Sequence, residues 1–351
     1  MNRYLCEKAQ KLIPYTPGEQ PKDKRYVKLN TNENPYPPSE KVLSVMKQCI
    51  DGDLKLYPDP DSSDLLEKAA EYYHVKKENV FAGNGSDEIL SLAFMAFYQE
   101  KEVLFPKISY SFYPVYCNLY NVKSTLVPMI NLNVDSNKFF NRNKGIVIAN
   151  PNAPTGEYLS LDVIEKMAET NEGQVVLIDE AYIDFGGESA IRLIDRYENL
   201  LIVQTFSKSR SLAGLRLGLA FGSKKLIEGL NTVKNSFNSY PIDRITQRAA
   251  YVSFEEEEYF KQVCHRIMKT REEVTAKLER LDFVVLPSKA NFIFAGCSII
   301  SGKELYTALK ERGVLVRYFN LPDISNYVRI TIGTDDEMNK LVNAIENILG
   351  Y

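Results

Sequence analysis

Histidine is scarce in this chain of 351 residues: the sequence holds His74 and His265 and no others. That excludes a histidine-rich metal site, and a Ser-His-Asp triad would have to use one of those two. Each reads as an ordinary helix residue. Cysteine is sparse as well. Cys6, Cys49, Cys117, Cys264 and Cys297 stand far apart, with no CxxC and no zinc-type spacing. Their odd number fits reduced thiols in a reducing compartment better than a disulfide framework. No apolar run approaches the ~20 residues that a membrane helix needs. Residues 1–12 are charged and lack the long apolar core of a secretory signal. The formal net charge is -3, so no global basic field points to nucleic acid. The expectation is a cytoplasmic protein with no metal site that binds neither membrane nor nucleic acid.

What is present is a regular alternation. Short β-branched and apolar runs fall at 79–82, 102–105, 124–127, 145–149, 175–178, 200–203 and 217–221. Several are apolar throughout, as strands buried on both faces must be. Helical patterns lie between most of them, at 87–98, 110–120 and 161–170. This predicts an α/β fold: a mostly parallel seven-stranded sheet flanked by helices. In such sheets ligands sit at the carboxyl ends of the strands. A long amphipathic helix is expected over 255–281, with the acidic run 255–258 in its first turn, where it suits the helix dipole. Shorter strands follow at 283–286, 291–295, 314–318 and 328–332, which reads as a smaller α+β domain. The expected division is an amino-terminal segment (1–30) packing with the small domain, a large ligand-binding domain (31–255) and a small carboxyl-terminal domain (256–351). The length suits one large domain plus a smaller one.

Four segments carry chemistry. Gly83-Asn84-Gly85-Ser86-Asp87-Glu88 lies between a strand and a helix. Its glycines permit a sharp turn and close approach to a ligand, and the following helix aims free N–H groups at that turn. It is neither a GxGxxG fingerprint nor a P-loop, and read alone it is also a plain strand-to-helix turn. Val176-Leu177-Ile178-Asp179-Glu180 ends a buried strand in two carboxylates, which burial penalises unless a cation compensates. A protonated pyridine nitrogen is one such cation; a helix cap by Asp179, or a Walker-B aspartate lacking its P-loop, are the local alternatives. Asn150-Pro151-Asn152-Ala153-Pro154-Thr155-Gly156 also follows a buried strand and reads locally as a turn. Finally, Thr205-Phe206-Ser207-Lys208 follows the run 200–203 and leads to Arg216. A lysine that forms an imine with an aldehyde cofactor needs such a rigid strand end, with an anion pocket and positive neighbours. An isolated lysine would be a surface residue; the constellation around it overturns that reading.

In this order and spacing the segments resemble the fold-type I, pyridoxal-phosphate-dependent aminotransferases. Within that family they are most similar to the histidinol-phosphate aminotransferase group. The matching stretches are LNTNENPYPP (29–38), YPDP (57–60), GNGSDE (83–88), NPNAPTG (150–156), DEAYIDF (179–185), TFSKSRSLAGLRLG (205–218), GVLVR (313–317) and YVRITIG (327–333). The resemblance implies pyridoxal 5'-phosphate as cofactor and Lys208 as the Schiff-base residue. It implies that Asp179 pairs with the ring nitrogen, that Tyr182 bonds the ring oxygen and that Tyr110 stacks on the ring. Ser86, Asp87, Ser207 and Arg216, with Thr205, are implied to hold the phosphate. Tyr57 is implied to reach the same phosphate from the partner subunit of a homodimer. The family's asparagine before Pro-Thr-Gly is Ala153 here, so either Asn152 beside it stands in or the ring-oxygen contact rests on Tyr182 alone.

For substrate, the resemblance implies amino transfer between L-histidinol phosphate and 2-oxoglutarate, giving glutamate, in histidine biosynthesis. One arginine cluster must then serve both a phosphate and a carboxylate. Arg329 is the expected centre of it, with Arg317 in support and Tyr15 and Asn34 as lining. A threonine-phosphate decarboxylase or an aromatic amino-acid aminotransferase on the same scaffold are the alternatives. A cofactor-binding regulator lacks room for a DNA-binding domain.

Overall fold

The runs that are apolar throughout form the interior strands of one sheet. A computed structural model describes residues 3–350; Met1, Asn2 and Tyr351, at the outer ends of the first and last expected segments, lie outside the described residues. Seven strands hydrogen-bond in the order Val80–Gly83, Gly218–Gly222, Leu200–Thr205, Val176–Asp179, Gly145–Ala149, Glu102–Pro106, Lys123–Val127. Every pairing is parallel except the two made by Gly218–Gly222. Gly145–Ala149, Val176–Asp179 and Leu200–Thr205 are buried at every position, because helices cover both faces and leave no wet side for polar residues. Lys123–Val127, at one edge, is exposed at its first four residues and carries lysine, serine and threonine there. Such side chains discourage pairing with another sheet.

The helices follow the expected pattern with shifted ends. Gly85–Ala93 continues into a π-helical turn, Phe94–Tyr98. Tyr113–Tyr120 starts later than expected, with Pro114 in its first turn, where the missing N–H costs nothing. The long helix expected over 255–281 runs from Glu257 to Glu279, and a separate helix, Arg244–Glu255, ends just before it. The acidic run therefore straddles a break: Glu255 closes one helix, and Glu257 and Glu258 open the next. Ala249, Ala250, Val252 and Phe254 of the first pack into the core on one face of the large sheet. Val263, Ile267, Val274 and Leu278 of the second pack into a separate core.

That second core belongs to a four-stranded antiparallel sheet, ordered Arg317–Tyr318, Tyr327–Thr331, Phe292–Cys297, Phe283–Val285. The single strand expected over 314–318 is divided at Val316. Val314–Leu315 pairs in parallel with Val27–Lys28 of the amino-terminal segment, while Arg317–Tyr318 joins the small sheet. Leu29 is buried in the second core. Two cooperative helix starts flank this sheet: Ser301 with Glu304 and Thr334 with Glu337 form capping boxes.

Ile202 is fully buried in the large sheet. Ile202→Ala is expected to lower stability by about 2–5 kcal/mol, by lost transfer energy plus a residual cavity. Val284→Ala, at a position 60% exposed, should change it by no more than about 0.5 kcal/mol. Urea midpoints of the two variants measure the contrast.

Candidate active site

Strand register gathers the four segments. Gly83 stands opposite Gly218, and Gly218 opposite Thr205. On the other side Asp179 stands opposite both Ala149 and Val203. The glycine turn, Arg216, Ser207 and Lys208, Asp179 and the Asn-Pro loop therefore open from one end of the sheet. There they enclose a cavity of about 170 Å³, which Arg317, Phe319 and Arg329 of the carboxyl-terminal part of the chain close.

One end of the cavity is built for an anion. The first-turn N–H groups of Ser86 and Asp87 open the helix Gly85–Ala93 and have no carbonyl within their own helix. Gly85 has φ of 82°, and a side chain there would strike the Arg216 guanidinium. At Gly218 a Cβ would stand 2.6 Å from the Ser86 backbone nitrogen, so the helix start can lie against this strand because the position has none. Arg216 itself takes a left-handed φ of 55°. Its guanidinium donates to Ser207 Oγ at 3.1 Å and to Asp87 Oδ2 at 3.1 Å. Asp87 Oδ1 accepts from the Tyr110 hydroxyl at 2.8 Å. The Ser207 N–H donates to Thr205 Oγ1 at 3.1 Å, which sets the turn entering Lys208.

Of the other groups, Asp179 and Glu180 are buried and Lys208, Tyr182 and Arg329 are half-buried. Lys208 Nζ donates to the Thr31 carbonyl at 3.0 Å. Burial, helped by Arg329 and then Arg216, lowers its pKa to about 8 against the pull of Glu33 and Asp87. Burial also raises Asp179 to about 6, although the Tyr113 hydroxyl donates to its Oδ2 at 3.0 Å and the Ala181 N–H to its Oδ1 at 3.3 Å. The two carboxylates that end this strand part company. Glu180 accepts from Ser189 Oγ at 2.5 Å, the Ala190 N–H at 2.7 Å and Gln204 at 2.9 Å, away from the cavity, and burial raises it to about 7. Tyr182 packs edge-on against Phe292, and its hydroxyl accepts from Asn32 Nδ2 at 3.0 Å. Arg329 donates to the Asn30 carbonyl at 2.9 Å, lies against Phe292 and Phe319, and leaves its buried Nε without a partner.

Residues 24–345 match the family model described as aminotransferase class I and II. The chain belongs to that family. A histidinol-phosphate aminotransferase of Clostridium beijerinckii is 50% identical over 99% of this chain and 98% of its own length. A crystal structure of histidinol-phosphate aminotransferase from Sinorhizobium meliloti, in complex with pyridoxal-5'-phosphate, superposes with a TM-score of 0.89 at 21% identity, covering 99% of this chain and 98% of that one. L-threonine-O-3-phosphate decarboxylase from Porphyromonas gingivalis shares the fold with a TM-score of 0.80 at 20% identity, covering 92% of this chain and 99% of that one.

In this aminotransferase the cavity brings together Tyr15, Ser86, Asp87, Tyr110, Asp179, Tyr182, Thr205, Ser207, Lys208, Arg216, Arg317 and Arg329. Three expected residues lie outside its lining. Asn152 is buried in its own loop: its amide donates to the Ile108 carbonyl and Thr155 Oγ1, and its oxygen accepts from Ser109. It therefore cannot stand in for the family asparagine, and Ala153 faces the cavity in its place. Asn34 spends its amide on the carbonyls of Lys208 and Ser209, at 3.0 and 3.1 Å. It clamps the turn that follows the lysine rather than lining a substrate site. Tyr57, expected to act in a partner's site, is 80% exposed and stacks on Tyr240. Sequence reasoning missed Asn32 and Tyr113. Both belong to segments already singled out, but nothing in linear order tells which side chain of such a segment turns inward. Among the described residues no group of His, Cys, Asp and Glu stands where it could hold a metal ion, and no helix is long and apolar enough to cross a membrane.

A positive neighbour disfavours the ammonium form, so Arg329 and burial both push Lys208 below the ordinary lysine value. In cofactor-free protein, competitive acylation of Lys208 should show a pH midpoint near 8. Arg329→Gln should move that midpoint upward, toward the ordinary lysine value. Mass-spectrometric quantification of the labelled peptide measures both.

Proposed function

We propose that this aminotransferase transfers an amino group between L-histidinol phosphate and 2-oxoglutarate with pyridoxal 5'-phosphate, a step of histidine biosynthesis. The observation that carries the reading is one cavity holding a lysine of lowered pKa, a buried aspartate, a built anion cradle and a second arginine with an unpartnered Nε. Relatives of the same name, about half identical over the full length, support the choice of substrate.

The residues fit the cofactor. Gly85 and Gly218 leave the space a phosphate needs beside the helix start, and the Ser86 and Asp87 N–H groups, Ser207 and Arg216 supply its donors, with Thr205 holding Ser207 in place. Asp179 is an anion kept out of water, ready for the ring's protonated nitrogen. Tyr182 serves the ring oxygen, and Tyr110, fixed by Asp87, stacks on the ring. When bound, pyridoxal phosphate supplies an aldehyde for imine formation and a ring that draws electrons from the substrate Cα. Lys208 would be the imine-forming amine, and its Nζ would carry the proton removed from the substrate Cα. With a free amine pKa near 8, that nitrogen exchanges protons readily close to neutral pH.

Arg329 is the main grip on the substrate's anionic end, with Arg317 and Tyr15 beside it. A single guanidinium fork suits a phosphate and a carboxylate in turn, as a two-stage exchange requires. Homodimer formation belongs to this reading. Tyr57, Leu54 and Leu56 are more than half exposed, and Tyr57 is the side chain that would reach the partner's phosphate site. A cytoplasmic location is part of the reading too, and the five free cysteines agree with it.

The test is a half-reaction on the loaded protein, followed by visible absorbance. Histidinol phosphate should discharge the lysine-bound cofactor band within one turnover, and 2-oxoglutarate should restore it. Lys208→Ala should slow turnover by roughly 10³-fold or more. Carbon dioxide release from O-phosphothreonine, with no need for an oxo acid, would assign the chain to lyase chemistry instead. Equal discharge by phenylalanine would widen the substrate to aromatic amino acids.

A further inference from the structure

Residues 30–32 touch three of the groups just assigned. The Asn30 carbonyl accepts from Arg329, the Thr31 carbonyl from Lys208, and the Asn32 amide donates to Tyr182. Asn32 is 1% exposed and holds a left-handed φ of 58°, a conformation that asparagine tolerates better than most residues.

The direction of the last bond follows from counting protons. The Asn32 backbone N–H donates to Thr331 Oγ1 at 3.0 Å, and the Thr331 hydroxyl donates to Asn32 Oδ1 at 2.9 Å. Asn291 Nδ2 donates to the Asn32 carbonyl at 3.0 Å and fixes the backbone. Turning the amide over would leave the Thr331 proton, 2% exposed, without its acceptor. Asn32 therefore presents Nδ2 to Tyr182, and the Tyr182 oxygen accepts. A phenol that accepts from one side keeps its own proton for another partner.

We propose that Asn32, locked by Thr331, is a positioning residue that aims the Tyr182 O–H into the cavity. The inference rests on the reading that Tyr182 serves the cofactor's ring oxygen. It gives this chain a substitute for what Ala153 cannot do. Where the family asparagine would contact the ring oxygen directly, Asn32 acts through Tyr182, from the amino-terminal segment and the small sheet.

A donor aimed at the ring's phenolate stabilises it most when the adjacent imine nitrogen has lost its proton, since the phenolate then has no internal partner. It therefore lowers the pH at which the loaded protein's visible band changes. Asn32→Gly, which keeps the positive φ and removes the amide, should raise that midpoint by roughly half a unit to one unit. Thr331→Val, which frees the amide to turn, should raise it as well. Thr331→Ser, which keeps the hydroxyl, should leave it at the wild-type value. Asn32→Gly and Thr331→Val midpoints equal to wild type would overturn the proposal, as would a Thr331→Ser midpoint that moves as far as that of Thr331→Val. If Asn32→Gly does not fold, the Thr331 pair decides alone. A wild-type protein that forms no Lys208-dependent band with pyridoxal phosphate would overturn the proposed function itself, and this inference with it.

Discussion

At one end of a sheet whose central strands are dry on both faces, Asp179 is buried and Lys208 and Arg329 are half-buried. Burying a charge costs several kcal/mol unless a partner compensates it, and much of the surrounding structure supplies partners. Tyr113 and the Ala181 N–H support Asp179, the Thr31 carbonyl holds Lys208, and the Asn30 carbonyl and two phenyl rings support Arg329. The compensation is incomplete at the places that matter. Asp179 stays raised, Lys208 stays lowered, and Arg329 Nε has no partner. A site left short of countercharges by its own fold is one that a charged ligand completes.

The anion cradle obeys a different constraint, close backbone approach. Gly83, Gly218 and Thr205 stand side by side across three strands, and the helix start rests on the bare face of Gly218. Arg216 follows directly from that register, because it precedes the strand Gly218–Gly222 and turns back over the cradle through its left-handed φ. The lysine and the anion site are thus set by neighbouring strands.

The amino-terminal segment joins the two cores. Val27–Lys28 pairs with the carboxyl-terminal part of the chain, Leu29 enters the second core, and residues 30–34 then reach Arg329, Lys208, Tyr182 and the turn after the lysine. Nothing in the stretch LNTNENPYPP foretells this division of labour. Alternating polar residues in an irregular segment carry no period, so no face can be assigned before the partners are known. Asn34 was expected to line the substrate site and instead clamps a turn, while its neighbour Asn32 turns inward. Asn152 departs from expectation for the same reason: a tight loop uses its amide locally, at Ile108 and Thr155, before any ligand can.

By itself the sequence determined the sheet, because strands buried on both faces must be apolar throughout. It also determined the order of chemistry along the chain, because each motif sits where an apolar run ends. The glycine turn and Lys208 were legible only together with the motifs around them, since a lone lysine reads as a surface residue and a lone glycine turn as a plain connection. Helix ends were less so: the acidic run expected to open one helix is divided between the end of Arg244–Glu255 and the start of Glu257–Glu279. The tertiary structure alone decided which strand ends meet, where Glu180 spends its hydrogen bonds, and which asparagine is free to act. Those outcomes depend on register and on competition for hydrogen bonds between residues far apart in the chain, and both exist only once the chain has folded.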